Sequence, residues 1–251
     1  CLIGPLLFGR DLNWSPLVWI TMLGGAAVIV AFVRLEHHVA AQGGMPLIDL
    51  ALLADRAFMR GLCAVFAFFF ANLSFYLVMT LFMQNALHLP PLHAGLVFVP
   101  LALAFVAASR YSPVRAKHRG TLVLIEGCAV QITGLALIGA VVLLVAQPSA
   151  QLLALPLAVV GFGQGLVMAP LSSAVLSTVQ AASAGSGSGL YGTTNQIANA
   201  AGVAAIGAVF FAIQSDHSAL IALLASLILF ALSVAASAAL LVWMRRASHP
   251  A

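Results

Sequence analysis

Residues 127–146, GCAVQITGLALIGAVVLLVA, begin a run that continues to residue 215 without a single Asp, Glu, Lys or Arg. A soluble domain carries charge on about a quarter of its residues, because its surface must face water. A membrane-spanning helix instead requires about 20 mostly apolar residues, so this run is long enough for several spans. The apolar residues are continuous and do not alternate with polar ones, which favours helices over a β-barrel. The run therefore predicts an all-α membrane protein.

The composition of the whole chain agrees with that prediction. Of its 251 residues, 63% are hydrophobic and only 6% are charged, and the formal net charge is +4. So few charged side chains cannot cover a soluble protein of this length, and most of the surface is expected to contact the lipid bilayer. The basic residues form no dense stripe with aromatic residues between them, so nucleic acid is not an expected partner.

About seven apolar segments are long enough to be membrane-spanning helices. Several contain proline, which is tolerated in membranes because neighbouring helices satisfy the freed backbone groups. The predicted spans cover residues 16–33, 61–83, 92–109, 122–146, 152–179, 187–213 and 219–244.

The basic residues predict how these spans are oriented. If successive connections alternate across the membrane, nine of the ten Lys and Arg residues lie on one side, in residues 34–60, in residues 110–119 and after residue 244. Only Arg10 then lies on the other side. The positive-inside rule places the basic side in the cytoplasm. The pattern predicts a multi-pass protein of the plasma (inner) membrane with a cytoplasmic C-terminus.

Polar side chains within the predicted spans are the candidates for a functional site. Asn72 and Tyr76 lie in the second span, and Asn195, Gln196 and Asn199 cluster in the sixth. Side-chain amides in a helical bundle commonly form hydrogen bonds between helices, which would make them structural. Alternatively, they line a water-filled cavity that binds a substrate, to which Tyr76 would add a stacking surface.

Glu126 is the only acidic residue within the body of a predicted span. A carboxylate in a membrane is by default a candidate proton carrier. Glu126 also lies about 9 Å from the basic segment at 1.5 Å per residue, so it could instead pair with Arg119 or Lys117. Gln131, further along the same span, is a second and weaker candidate for proton coupling.

Other motifs carry no enzymatic prediction. Residues 161–165, GFGQG, lie within a long apolar span and not after a strand, so they favour close helix packing over a nucleotide loop. His88 and His93 flank two prolines, which is poor spacing for a metal site. No serine-hydrolase, zinc-protease or Walker motif is present. The chain is therefore not expected to be an enzyme or to need a cofactor.

Short motifs follow one another along the chain in a characteristic order. They are Pro46-Leu-Ile-Asp-Leu50 with Arg56-Ala-Phe58, Gln84 with Ala94-Gly-Leu96 and Pro100, Arg119-Gly120, Gly161-Phe-Gly-Gln-Gly165 with Pro170, and Gly202-Val-Ala204. Their order and spacing resemble the C-terminal portion of the major facilitator superfamily. More closely, they resemble its fourteen-helix drug:proton antiporters.

The resemblance implies a domain organisation and a function. Residues 1–56 would form a linker transmembrane helix and a cytoplasmic loop, and residues 57–251 a six-helix transporter domain. Since the chain begins with Cys1, it is expected to be a piece of a longer polypeptide that also supplies the N-terminal half. The implied activity is export of small lipophilic or cationic compounds in exchange for protons, by alternating access. Arg115, Lys117 and Arg119 would gate or anchor the cytoplasmic face.

Two other classes of membrane protein remain open at this stage. A seven-helix receptor that carries retinal needs a lysine buried in a helix, but the only lysine, Lys117, falls between predicted spans. A non-transporting scaffold or truncated subunit would share the same composition. An intramembrane enzyme is the least favoured alternative, because no predicted span carries a paired catalytic set.

Overall fold

The structure is a computed structural model that describes residues 50–145, 148–216 and 218–248, with isolated helical positions between residues 16 and 34. The predicted first span at residues 16–33 and most of the predicted linker domain therefore lie outside the continuously described residues. Every regular element in the continuous part is helical. We number the helices α1 Leu50–Ala54, α2 Arg56–Asn85, α3 Pro91–Leu96, α4 Val99–Arg119, α5 Leu122–Leu144, α6 Ala150–Leu176, α7 Ala184–Asp216 and α8 Ala219–Ser248, with a 3₁₀ turn at Ala181–Ser183.

Six segments of the described chain are long and apolar enough to cross a membrane, namely α2, the α3–α4 pair, α5, α6, α7 and α8. The predicted all-α membrane fold and the predicted spans after the first are thereby confirmed. The domain boundary between residues 56 and 57 stays a prediction.

The two helices that extend furthest beyond the spans predicted from hydropathy are α2 and α4. α2 begins at Arg56 because the Asp55 carboxylate caps it, accepting hydrogen bonds from the backbone N–H of Ala57 at 2.6 Å and of Phe58 at 3.2 Å. The third predicted span ended at residue 109, but α4 continues to Arg119. Basic side chains are favourable near a helix C-terminus, and their long stems reach the membrane surface.

The basic segment at residues 110–119 is consequently helical, and its prediction as a connecting loop was wrong. α4 ends at Arg119, and the next residue, Gly120, adopts φ 55° and ψ −136°. A positive φ is easily reached only by a residue without a Cβ atom, so glycine at this position lets the chain turn directly into α5.

The packing order of the helices has a reciprocal form. α2 packs mainly on α7 and α8, whereas α6 packs mainly on α4 and α5. The six long helices form two sets in chain order, α2, α4 and α5 in the first and α6, α7 and α8 in the second. The first helix of each set therefore packs on the second and third helices of the other set. Such reciprocity is what two repeats related by a pseudo-twofold axis would give.

Glycines bring α6 close to the backbone of α4. A Cβ atom on Gly161 would collide with the carbonyl oxygen of Leu101, and one on Gly165 would lie 2.8 Å from the Cβ atom of Ala108. Small residues at a helix interface permit this approach in membranes. The prediction that residues 161–165 serve close packing is confirmed.

Serine hydroxyls join α8 to α2 along the opposite side of the bundle. Ser233 donates to the Ala67 carbonyl at 2.6 Å, and Ser237 donates to the Ala64 carbonyl at 2.9 Å. Beside them, the ring of Phe75 meets that of Phe230 edge-on, with centroids 5.7 Å apart. These contacts fix α2 against α8. The side of α2 that carries Asn72 and Tyr76 borders a cavity, which is described below.

Candidate functional site

A cavity of about 670 Å³ lies between α2, α4, α6 and α7. Most of its lining is apolar or aromatic, with a few converging amides, which is typical of a small-molecule site. No Asp, Glu, Lys or Arg belongs to the lining that the structure describes. The lining residues are Phe69, Asn72, Leu73, Tyr76, Phe98, Leu101, Ala102, Phe105, Val106, Met168, Asn195, Gln196 and Asn199.

A hydrogen-bonded chain forms the polar part of the α2 wall. The Tyr76 hydroxyl donates to Gln164 Oε1 at 2.8 Å, and Gln164 Nε2 donates to Asn72 Oδ1 at 3.0 Å. Asn72 Nδ2 then contacts the Met168 sulfur at 3.8 Å. Gln164 is fully buried and Asn72 is 6% exposed. Because an unpaired amide is costly away from water, these bonds fix both side chains in one arrangement.

The facing wall on α7 is less constrained. Asn199 Nδ2 donates to Asn195 Oδ1 at 2.6 Å and to the Asn195 carbonyl at 3.0 Å, one helical turn away. The Gln196 side chain is exposed and has no hydrogen-bond partner among the described residues. The α7 wall therefore presents an amide that is ready to bond to whatever enters the cavity.

Aromatic rings complete the enclosure. The Tyr76 and Phe98 rings lie 5.6 Å apart with a tilt of 51°, at the junction between α2 and the α3–α4 connection. Phe98 sits there because the chain breaks between α3 and α4, where Pro100 lacks the N–H that would continue the helix. Phe69 and Phe105 add two more rings to the lining. The cavity thus offers flat apolar faces beside hydrogen-bonding amides.

The structure brings all of the predicted substrate-binding residues to this one cavity. Asn72 and Tyr76 come from α2, while Asn195, Gln196 and Asn199 come from α7. Their role in binding stays a prediction. The folded structure nevertheless places them around one cavity, although the two groups are more than 100 positions apart in the sequence.

Sequence reasoning missed Gln164, which links Asn72 to Tyr76. Residues 161–165 were interpreted through their glycines alone, and the amide between them was passed over. A signal was present, since Gln164 is one of few amides within the long uncharged run. An amide in such a run needs a partner, and here the partners come from α2.

Glu126 lies outside the cavity in a cluster of its own. Its carboxylate pairs with Arg115 Nη2 at 3.0 Å and with Arg119 Nη1 at 2.5 Å, and about a third of each of the Glu126 and Arg115 side chains is exposed. Arg115 Nη1 also donates a hydrogen bond to the Tyr111 hydroxyl at 3.2 Å. The expected pairing of Glu126 with Arg119 is confirmed, whereas Lys117 is not its partner in the described structure.

The three predicted gate residues are consequently divided between two places. Arg115 and Arg119 hold Glu126, while Lys117 lines a second cavity at the same end of the bundle. Gln131 lies in neither place: it is 2% exposed, and its Oε1 atom has no hydrogen-bond partner within the described chain. It packs against α6, where a Cβ atom on Gly163 would come 2.5 Å from the Gln131 nitrogen.

The described part of the chain is a bundle of six helices long and apolar enough to span a membrane, and the described lining of its amide-bearing cavity is uncharged. Helical bundles of this kind occur in secondary transporters. The model of the Major Facilitator Superfamily matches residues 1–203. The chain belongs to that superfamily.

Curated relatives give the same picture over most of the chain. It is 30% identical to the probable actinorhodin transporter of Streptomyces coelicolor, over 86% of this chain and 38% of that protein. It is 28% identical to the multidrug resistance protein Stp of Mycobacterium tuberculosis, over 84% of this chain and 38% of that protein. It is 33% identical to the cephamycin export protein CmcT of Amycolatopsis lactamdurans, over 75% of this chain and 38% of that protein. The chain thus spans 38% of the length of these relatives.

Proposed function

We propose that this chain is part of an exporter that moves small lipophilic or cationic compounds out of the cell in exchange for protons. The observation that carries the proposal is the cavity in which amides from α2 and α7 meet aromatic rings from α2 and the α3–α4 connection. The names of the relatives, which describe transport of actinorhodin, drug resistance and cephamycin export, support the same direction.

The chain would supply one wall of the transport site. In the fourteen-helix arrangement, residues 57–251 are the C-terminal six-helix domain, and the N-terminal half of the same polypeptide would close the cavity from the other side. The site would then open alternately to the two sides of the membrane as the halves rock. Two helices that border the cavity, α4 and α7, keep large apolar side chains exposed, such as Leu103, Val106 and Ile197, which is consistent with a further helical surface against them.

The lining indicates how a substrate would be held. Apolar and aromatic rings would receive the lipophilic part of a compound, and a cation would be attracted to the ring faces of Tyr76 and Phe98. Asn72, Asn195, Gln196 and Asn199 would orient its polar groups. Because the described lining carries no formal charge, shape and hydrogen bonding would select the substrate more than ion pairing.

Proton coupling and gating belong to the same proposal. Glu126 and Gln131 are secondary candidates for coupling, since the first is ion-paired outside the cavity and the second is an amide that cannot itself be ionised. Arg115, Lys117 and Arg119 would act at the cytoplasmic end.

The positive-inside orientation places the C-terminus of this plasma-membrane protein in the cytoplasm. A fluorescent protein fused after α8 should then fluoresce, and a phosphatase that is active only outside the cytoplasm should be inactive when fused at the same position.

The experiment that tests export uses inverted membrane vesicles containing the native-length protein. The lumen is acidified, an acridine dye reports the proton gradient, and lipophilic cations and antibiotics are added one at a time. Proton antiport predicts that some compounds dissipate the gradient only when the protein is present. If no compound in a broad panel does so, the antiport proposal fails and a non-transporting scaffold becomes the better interpretation.

The site assignment has its own test in the same vesicles. The double variant Asn72→Ala/Asn195→Ala should lose most substrate-dependent dissipation, because it removes an amide from each wall of the cavity. Thr133→Ala is the matched control, since Thr133 is an exposed polar residue of α5 whose hydroxyl bonds only to its own helix, at the Ala129 carbonyl. Unchanged efflux in the double variant would show that the site lies elsewhere.

A further inference from the structure

A second cavity, also of about 670 Å³, lies at the basic end of the bundle, away from the site proposed for substrates. It is bordered by the C-terminal parts of α4, α6 and α8 and by the start of α5.

Two cations line this cavity, and neither has an acidic partner within the described chain. Lys117 comes from the last turn of α4 and Arg245 from the last turns of α8. In the described residues both ion pairs use Glu126, and that carboxylate is already occupied by Arg115 and Arg119. Among the residues that the structure describes, no acidic side chain belongs to the lining of this cavity. The cavity therefore carries uncompensated positive charge and favours an anion.

The rest of the lining is graded from polar to apolar. Ser173, Ser177 and Thr178 bring hydroxyl groups from α6, with Thr121 contributing another from the start of α5. The apolar part of the same lining includes Ala174 and Met244, which are half-buried and keep accessible surface. A small inorganic anion would use the cations and hydroxyls but would gain nothing from the apolar part. A molecule with an anionic head and a hydrocarbon chain would use both.

The cavity lies at the end of the bundle that is expected at the membrane surface. Trp243, two residues before Arg245, is 52% exposed, and the Arg60 guanidinium lies 3.8 Å from its ring centroid. Tryptophan and arginine side chains are characteristic of the layer where lipid headgroups meet the hydrocarbon region. Arg245 therefore reaches the cavity from the level at which phosphodiester groups are found.

We propose that this cavity binds an anionic phospholipid, with Lys117 and Arg245 holding its phosphodiester headgroup and Ala174 and Met244 contacting the upper part of an acyl chain. Basic pockets between helices are a known way for membrane proteins to select such lipids. The proposal depends on the membrane placement of the helices and not on the transport activity.

The test uses delipidated native-length protein in detergent, titrated with phosphatidylglycerol or with zwitterionic phosphatidylcholine and followed by native mass spectrometry. Phosphatidylglycerol should bind the wild type more tightly. Lys117→Gln/Arg245→Gln should weaken that binding on the order of tenfold or more, while the weaker phosphatidylcholine binding stays unchanged. Arg56→Gln/Arg110→Gln removes the same charge from two exposed positions outside the cavity and should retain wild-type lipid binding.

A third variant separates the cavity from its rim. Ser177→Trp keeps both cations but fills part of the recess, so it should also lower phosphatidylglycerol binding if an acyl chain enters there. Full binding in Ser177→Trp, or an equal loss in the Arg56→Gln/Arg110→Gln control, would overturn the proposal. So would complete displacement of the lipid by millimolar inorganic phosphate, since a free anion would then suffice. Thermal unfolding of each variant checks that the fold is retained.

Discussion

The Tyr76 hydroxyl donates a hydrogen bond of 2.8 Å to Gln164 Oε1, joining α2 to α6 across the middle of the bundle. These two helices pack less closely on each other than α2 does on α7 and α8 or α6 does on α4 and α5. Their principal polar link is therefore the chain of side chains that runs from Tyr76 through Gln164 to Asn72. Since Tyr76 and Asn72 also line the cavity, the link that positions the helices is the one that shapes the proposed site.

Gln164→Leu should impair export although residue 164 is not part of the cavity lining. The change keeps a similar volume but leaves the Asn72 carbonyl and the Tyr76 hydroxyl without their partner. An unsatisfied buried group costs about 1–3 kcal/mol, so we expect substrate-dependent proton efflux in inverted vesicles to fall roughly tenfold. An unchanged initial rate at equal expression would show that the link does not position the site.

The same link predicts that the effects of Tyr76→Phe and Gln164→Leu on the free energy of unfolding are not additive. Either change alone breaks their common hydrogen bond, so the double variant should lose less stability than the sum, with a coupling of about 0.5–3 kcal/mol for residues in one network. Thermal unfolding in detergent measures the four members of the cycle. Tyr76→Phe combined with Thr133→Val is the control pair, and its effects should add because Thr133 bonds only within α5.

Glycine positions differ sharply in what an added methyl group would meet. A Cβ atom on Gly202 of α7 would collide with the Phe70 carbonyl of α2, and a backbone oxygen cannot rotate away. Gly202→Ala should therefore lower the free energy of unfolding by about 1–3 kcal/mol. Gly192, on the same helix, has nothing within 4 Å of its Cβ position, so Gly192→Ala should stay within about 0.5 kcal/mol of the wild type. Equal unfolding temperatures for the two variants would contradict the packing seen here.

Hydropathy was sufficient to predict the six helical spans that the structure describes, because lipid requires every backbone group to be paired within its own segment. It was not sufficient to place the end of α4, since the basic residues 110–119 were taken as the edge of the membrane when they continue the helix. Which spans are neighbours was also beyond the pattern. The amides of α2 and α7 could be identified one by one, but only tertiary packing shows that they face the same space.

Gln164 was missed in the sequence for a related reason. Its bonding partners are 88 and 92 positions away in the sequence, so nothing local indicates that its amide is satisfied by α2. Lys117 was grouped with Arg115 and Arg119 because the three are close in sequence. On the helix, however, Lys117 points into a different cavity from the two arginines that hold Glu126.

Buried serines on α8 allow a matched comparison between bonds that join helices and bonds that do not. Ser237 donates to the Ala64 carbonyl of α2 at 2.9 Å, whereas Ser226 donates to the Ala222 carbonyl of its own helix at 2.8 Å, and both are fully buried. Ser237→Ala should destabilise by about 0.6 kcal/mol, the typical worth of an interhelical bond in a membrane protein. Ser226→Ala should cost less, because that carbonyl still accepts the backbone bond of the helix. The reverse order of unfolding temperatures would count against the α2–α8 contact.

Glu126 is where the structural and coupling roles can be separated by experiment. Two arginines hold its carboxylate, which lies outside the cavity proposed for substrates. We therefore expect Glu126→Gln to retain proton-coupled efflux. Glu126→Gln should lower the free energy of unfolding by about 1 kcal/mol or less for each of the two ion pairs that it removes, because these side chains are partly exposed and screened by water. Glu126→Asp serves as the control that keeps the charge. If Glu126→Gln abolishes substrate-dependent dissipation of the gradient while Glu126→Asp preserves it, the carboxylate carries the proton and the purely structural role is excluded.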